Sequence, residues 1–168
     1  MIADVLHNLN LFVDGAGYAG KIVEIVMPKL VQKTREFHAG GMAAPVDIPM
    51  GSLEKLECEF TLSAFDRAVL GLQNGMPGVV TQLTARGALA SDNGVQVPLV
   101  VQMHGVLREL DLGTWKVGDD NNLKVVASLR YFKLVHAGKD VVEVDAINLV
   151  WKVNGVDQLA ATRAALGL

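Results

Sequence analysis

Gly15-Ala16-Gly17-Tyr18-Ala19-Gly20 spells the G-x-G-x-x-G pattern with which dinucleotide-binding folds cradle a pyrophosphate. That chemistry needs a helix directly after the third glycine, because the helix's N-terminal amides meet the phosphates. Here Lys21-Ile22-Val23-Glu24-Ile25-Val26 follows and Pro28 ends the run, and so β-branched a stretch is a strand. The motif reads as a glycine-rich hairpin turn. His7, His38, His104 and His136 are too dispersed for a local metal or catalytic site and read as solvated surface. Glu57 and Glu59 share one face of a strand and have the residue types of an acid–base pair, but carboxylates at i and i+2 are common on wet sheet faces. Cys58 alternates with apolar neighbours as a small core residue, and a lone cysteine leaves no intramolecular disulfide and no thiolate set for zinc. G-x-S-x-G, H-E-x-x-H and the P-loop do not occur. No catalytic set, cofactor or metal is expected, and nothing here argues for an enzyme.

The elements that carry these groups are mostly strands. Asn8 to Val13 ends at Asp14-Gly15, and Ile22 to Met27 follows, which reads as a hairpin closed by Pro28. Lys29 to His38 is extended, and Gly40-Gly41 and Pro45 open a loop to about Gly51. Leu56, Cys58, Phe60 and Leu62 point one way, while Lys55, Glu57, Glu59 and Thr61 point to water. Ser63 and Asp66 form a capping-box-like start to a helix of about ten residues, with Phe65, Val69 and Leu72 on its buried face and Asn74-Gly75 as its stop. Val79 to Leu89 and Val95 to Leu110 flank the turn Ser91-Asp92-Asn93-Gly94. After a turn at Asp119 to Asn122, Leu123, Val125, Ala127, Leu129 and Tyr131 alternate with Lys124, Val126, Ser128, Arg130 and Phe132. His136-Ala137-Gly138-Lys139 turns that strand into Val141 to Val150, and a short helix capped by Asp157 and stopped by Gly167 ends the chain. The expected fold is mainly β with short α: an antiparallel β-barrel or sandwich with one central flanking helix and a short C-terminal helix.

Composition narrows the function classes. At 168 residues the chain is one domain, with no internal repeat or low-complexity linker. A net charge of −3 and a pI near 5.8 give no basic footprint for gripping nucleic acid. No segment approaches the roughly 18 apolar residues of a membrane span, and Asp4 and His7 stand where a signal peptide needs basic then apolar sequence. The chain reads as soluble and made in the cytoplasm. A mean hydropathy of +0.32 is high for a soluble monomer and favours burial against copies of itself. Met42, Val46, Ile48 and Met50 crowd the loop at about 40–51, too many apolar groups for a free flap, so this is the expected oligomerisation loop.

Ordered landmarks run through nearly the whole chain. They are Asn10-Leu11-Phe12-Val13-Asp14-Gly15, Pro28-Lys29-Leu30, Gly40-Gly41-Met42 with Ala44-Pro45-Val46-Asp47, and Arg108-Glu109-Leu110-Asp111 with Gly113-Thr114-Trp115-Lys116. Tyr131-Phe132-Lys133-Leu134, Glu143-Val144-Asp145-Ala146-Ile147-Asn148, Val153-Asn154-Gly155-Val156-Asp157-Gln158-Leu159 and Leu166-Gly167-Leu168 complete them. In this order the chain resembles the major tail tube proteins of contractile-tailed phages and R-type bacteriocins. One departure is His136-Ala137-Gly138-Lys139, where related tubes tend to show Asp-Gly-Lys.

The resemblance implies a β-barrel-like subunit whose strands join an inner barrel in a hexameric ring. The rings stack into the rigid inner tube of a contractile injection apparatus, the channel for DNA passage or envelope puncture. It implies, as partners, further copies of the chain, the tail sheath protein, baseplate initiator and tail terminator proteins, and a tape-measure protein or DNA transiently in the lumen, with no stable nucleic-acid binding. The location implied is the virion tail or bacteriocin particle, assembled in the host bacterial cytoplasm. It turns the wet strand faces toward the channel: Glu57, Glu59 and Thr61 from one strand, Gln102 and His104 from another, Lys124, Ser128 and Arg130 from a third. Glutamates repeated around a ring would then repel DNA phosphates, provided the basic residues do not offset them. The competing class is a monomeric β-sandwich binding or adaptor module that recognises a ligand through its loops. The apolar excess without an aromatic-rich site weighs against that class.

Overall fold

Two long strands, each apolar on one side, set the architecture, and the computed structural model describes residues 4–168 around them. In chain order the elements are β1 (Val5–Val13), β2 (Ala16–Gly17), β3 (Ile22–Val26), β4 (Gln32–Phe37), β5 (Val46–Leu53), β6 (Leu56–Leu62) and α1 (Arg67–Leu70). Then come β7 (Thr81–Ala90), β8 (Gln96–Asp111), β9 (Leu123–His136), β10 (Lys139–Asp145), β11 (Val150–Val153), β12 (Val156–Asp157) and α2 (Ala160–Leu166). All pairings are antiparallel, in the order β12-β11-β10-β9-β8-β7-β1-β2. The sheet branches at β9. Its first half pairs with β6, which carries β3 outward, and its second half pairs with β10 along the same edge.

Side chains at every second position converge on one core that includes Leu11, Phe60, Leu83, Met103, Leu123 and Phe132. Val69, on the single turn of α1, is fully buried against it. The mainly antiparallel architecture with one short central helix and one C-terminal helix is the one the pattern calls for. Among the described residues no closed barrel forms: β2, β3 and β12 each pair on one side only. The outer edge of β1 from Val5 to Asn10 has no strand partner among the described residues.

Several expectations need correction. The hairpin does not join β1 to β3. Asp14-Gly15 makes its turn, but only Ala16–Gly17 pairs back, then Tyr18 buries and Gly20, at φ +79°, redirects the chain. β3 therefore pairs with β6, and β1 takes β7 as its long partner. The central helix has four residues instead of ten. Asp66 accepts from the Ala68 amide at 2.8 Å and is its N-cap, while the Ser63 amide donates to the Lys21 carbonyl. Gly71 caps its C-terminus, ahead of Asn74-Gly75. The alternation in β9 changes phase at Arg130, where a bulge against β8 puts an extra residue between Leu129 and Tyr131. Phe132 therefore enters the core, and Tyr131 joins the polar side.

Candidate assembly surfaces

The segment expected to be a loop at 40–51 is half strand. β5 pairs with β4 to form a two-stranded arm separate from the main sheet. Cross-strand partners share a face, so the register gives this ribbon two characters. Phe37 opposite Val46 and Arg35 opposite Ile48 make an apolar and basic face. Glu36 opposite Asp47 and Thr34 opposite Pro49 make an acidic and polar one. The arm does not fold back on the core: Val46, Ile48 and Met50 are 49%, 44% and 57% exposed. Met42 is the exception among the four loop residues, half-buried at the tip, its Sδ accepting from the Ala39 amide.

The main sheet presents one polar face away from the core. Across it, Gln102 lies opposite Lys133, Lys133 opposite Glu143, and Glu143 opposite Lys152. His104 lies opposite Tyr131, and Tyr131 opposite Asp145. Ser128 faces Glu57, Val126 faces Glu59, and Lys124 faces Thr61. The residues expected on the wet strand faces thus share one surface, with half-buried Arg130 in the bulge itself. Thr61 is the correction. At 7% exposed it is not wet, because Glu24 and Lys124 flank it and its hydroxyl donates to Glu24 Oε1 at 3.5 Å.

The proviso on the glutamates fails, because both are offset. Lys55 Nζ lies 2.8 Å from Glu57 Oε1 and Arg108 Nη2 3.4 Å from the same oxygen, while Lys124 Nζ lies 2.9 Å from Glu59 Oε1. The hydrogen bond from Lys55 holds the Glu57 carboxyl below its ordinary pKa, and that to Glu59 raises Lys124. The two carboxylates are tied up separately and do not form an acid–base pair. His104 stacks on Tyr131 at 4.8 Å, and the Tyr131 hydroxyl donates to Glu143 Oε1 at 3.0 Å. Burial first, then Glu143, pushes the Tyr131 phenol up to about 12. Cys58 is buried and its thiol is pushed up to about 12 by desolvation, which makes it unreactive. Among the described residues no three His, Cys, Asp or Glu side chains come together as metal ligands. Among the described residues these surfaces bring together no convergent reactive set.

Sequence reasoning missed the groove at the fork of the sheet. Where β9 passes its edge from β6 to β10, Leu53, Leu129, Val144, Trp151, Leu159 and Leu166 line an apolar hollow of about 470 Å³. One wall is α2, whose tether is Asp157. Its Oδ1 accepts from the Leu159 amide at 3.0 Å and its Oδ2 pairs with Arg163, which also donates to the Leu149 carbonyl at 2.7 Å. Leu159, not Asp157 as expected, holds the N-cap position, and Asp157 acts from two residues before it, while Gly167 at φ +76° ends the helix as expected. The Arg163 contact, then the Leu159 amide, hold the Asp157 carboxyl below its usual range. A depressed folded pKa stabilises at pH above the unfolded value of about 3.9 and is lost as pH falls through the folded one. Helix α2 is therefore expected to loosen only below the ordinary carboxylate range. Asp157→Asn should loosen it at neutral pH. With Trp115 replaced by phenylalanine in both proteins, Trp151 emission followed against pH checks this; identical profiles would contradict the tether.

Residues 3–167 match the family described as phage tail tube protein FII. The tail tube protein of Escherichia phage P2 is 35% identical over 167 residues, covering 97% of this chain and 96% of that protein. The major tail tube protein of Serratia phage KSP20 is 28% identical over 162 residues, covering 89% and 87%. Among solved structures, the sheath–tube complex of an extracellular contractile injection system (PVC, extended state) contains a chain that superposes with a TM-score of 0.60. That match covers 79% of this chain and 91% of the other at 10% identity, which shows a shared fold.

Proposed function

We infer, for this chain, which belongs to the phage tail tube protein family, an assembly of hexameric rings stacked into the rigid inner tube of a contractile injection apparatus. As a tail tube protein it is structural, a component of the virion tail or injection particle. The observation that carries the ring is the set of open edges. Among the described residues the outer edge of β1 from Val5 to Asn10 has no strand partner, and β3 pairs on one side only. An edge of this kind invites pairing with a copy, and a closed ring removes it. The inter-subunit contact assigned to the loop at about 40–51 passes to the arm, through Val46, Ile48 and Met50, with Met42 bracing the tip.

The polar sheet face turns to the lumen: Glu57, Glu59, Gln102, His104, Lys124, Ser128 and Arg130, with Thr61 beneath them. A lumen of this kind resists adhesion through charges already paired within each subunit, so DNA or a tape-measure protein passes without being held. Outside the tube stands the sheath protein, and baseplate initiator and terminator proteins close its ends. Assembly takes place in the host cytoplasm. No catalytic role is part of this reading.

Negative-stain microscopy and sedimentation over a concentration series test it. Rings and tubes are expected. Monomers at every concentration, with a tail initiator supplied, would overturn it.

The paired lumen face makes its own prediction. Replacing Glu57 and Glu59 together by lysine leaves Lys55, Arg108 and Lys124 with two further cations on neighbouring strands. The thermal midpoint and the pelletable tube fraction should both fall at low salt and recover toward 1 M, where the screening length shrinks to about 3 Å. Glutamine at both positions should show less of each effect. A salt-independent lysine variant would contradict the pairing.

A further inference from the structure

Among the described residues nothing covers the apolar groove at the fork of the sheet or the apolar face of the arm. We propose that they are the two halves of one contact: the apolar, basic face of the arm of one copy seats in the groove of a second. The proposal rests on the reading of the arm as an inter-subunit contact and names its acceptor.

Reach decides that the contact is made between copies. The root of the arm is part of the groove, since Gly51, Ser52, Leu53 and Glu54 help to line it. Measured on β4, the ladder from Gln32 to Phe37 runs five steps at ~3.3 Å, so the tip stands about 17 Å from the root that lines its own groove. Beyond the bulge at its root the ladder from Thr34–Pro49 to Phe37–Val46 is regular, and it holds Val46 and Ile48 off the core, where both stay exposed. A tip on one side and a groove at the root on the other make a heterologous contact, which repeats from copy to copy in one direction.

Chemistry matches the two halves. The floor of the groove is Leu129 and Val144, continuous with the core, and its rim carries Glu54 and Asp145 beside Lys55 and Arg163, which are already paired to Glu57 and Asp157. The arm brings Phe37, Val46 and Ile48 with Arg35 on the same face. Arg35 and Glu54 have no ion-pair partner among the described residues. A hollow of about 470 Å³ is in the range that takes a few side chains, not a folded partner domain. Turned over, the arm would press Glu36 and Asp47 toward Glu54 and Asp145, the rim charges that are not tied up in ion pairs, so charge favours the basic face.

Thr162, on the exposed side of α2 at the groove mouth, gives the test. Chains carrying Ile48→Cys are mixed with chains carrying Thr162→Cys under polymerising conditions and oxidised. Buried Cys58 stays out of the exchange. An interchain disulfide is expected in the mixture and in neither chain alone. Thr162→Arg, which meets Arg35 with a like charge, should cut the pelletable tube fraction at least about tenfold, while Thr162→Glu stays within about twofold of the unmodified chain. With Trp115 replaced by phenylalanine, Trp151 emission should shift to the blue on assembly.

No cross-link, together with normal tubes from Thr162→Arg, overturns the groove as acceptor. If a chain with a shortened arm still fails to polymerise, the arm remains a contact and docks elsewhere. If that chain polymerises too, the reading of the arm falls and this proposal with it. The cross-link does not depend on the folding of the arginine variant.

Discussion

Replacing Gly105 by alanine is expected to cost the chain much of its stability. A Cβ at this position would stand 2.1 Å from the Ser128 carbonyl oxygen and 2.9 Å from the Leu129 Cα. Both are backbone atoms of β9, the strand to which β8 is paired along its length. No side chain can swing aside, so relief means prying apart the two longest strands beside the Arg130 bulge. Overpacking in cores costs about 1–3 kcal/mol, and occasionally more, even where side chains can adjust. A clash with backbone in the central pair belongs at or above the top of that range, against a total stability of about 5–15 kcal/mol for a domain. Urea unfolding should show the midpoint lowered by about 1 M or more. Gly87→Ala is the matched control. There the new Cβ meets the Leu6 Cδ1 at 2.7 Å, the far end of a flexible side chain, and the loss should be well under half as large. Equal midpoints for the two variants would refute the account.

The contrast between those glycines bears on what the sequence reveals. Alternation shows the faces of β6 directly, because Leu56, Cys58, Phe60 and Leu62 all enter the core. A bulge leaves no such mark. The extra residues at Arg108 and Arg130 look like any strand residue, yet each flips the phase of everything after it. Turn chemistry is local too. Asp14-Gly15 announces a turn but not which strand will be the lasting partner, and that is set by where Leu11 and Val13 find cover. The arm escaped as a strand because Pro49 and Gly51 give β5 the composition of a loop. Opposite charges on neighbouring strands were legible as candidates, but pairing Glu59 with Lys124 and Glu57 with Arg108 needs the register, a long-range property. The groove was the least legible. Leu129, Val144 and Leu159 come from three elements, and their meeting depends on β6 and β10 sharing one edge of β9.

Shortening the arm is expected to give a folded chain that no longer forms tubes. The clean excision replaces residues 35–48 with Asn-Gly, joining Thr34 to its cross-strand partner Pro49 through a two-residue turn. It removes Phe37, Val46 and Ile48 but no member of the core, and the bond from the Glu54 amide to the Val31 carbonyl at 2.8 Å still closes the root. The thermal midpoint should therefore stay within a few degrees of the unmodified chain. Assembly loses what the arm buries on its neighbour. At ~25 cal/mol per Å² of apolar surface, three such side chains contribute a few kcal/mol for each contact. Each 1.4 kcal/mol is tenfold in affinity, so the concentration needed for polymerisation should rise at least about 100-fold. Sedimentation of the tube fraction against protein concentration measures that rise directly. Rings that do not stack would place the contact along the tube axis, and monomers would place it within the ring. Tubes at the unmodified concentration would show that the exposed apolar face of the arm is not what joins the subunits.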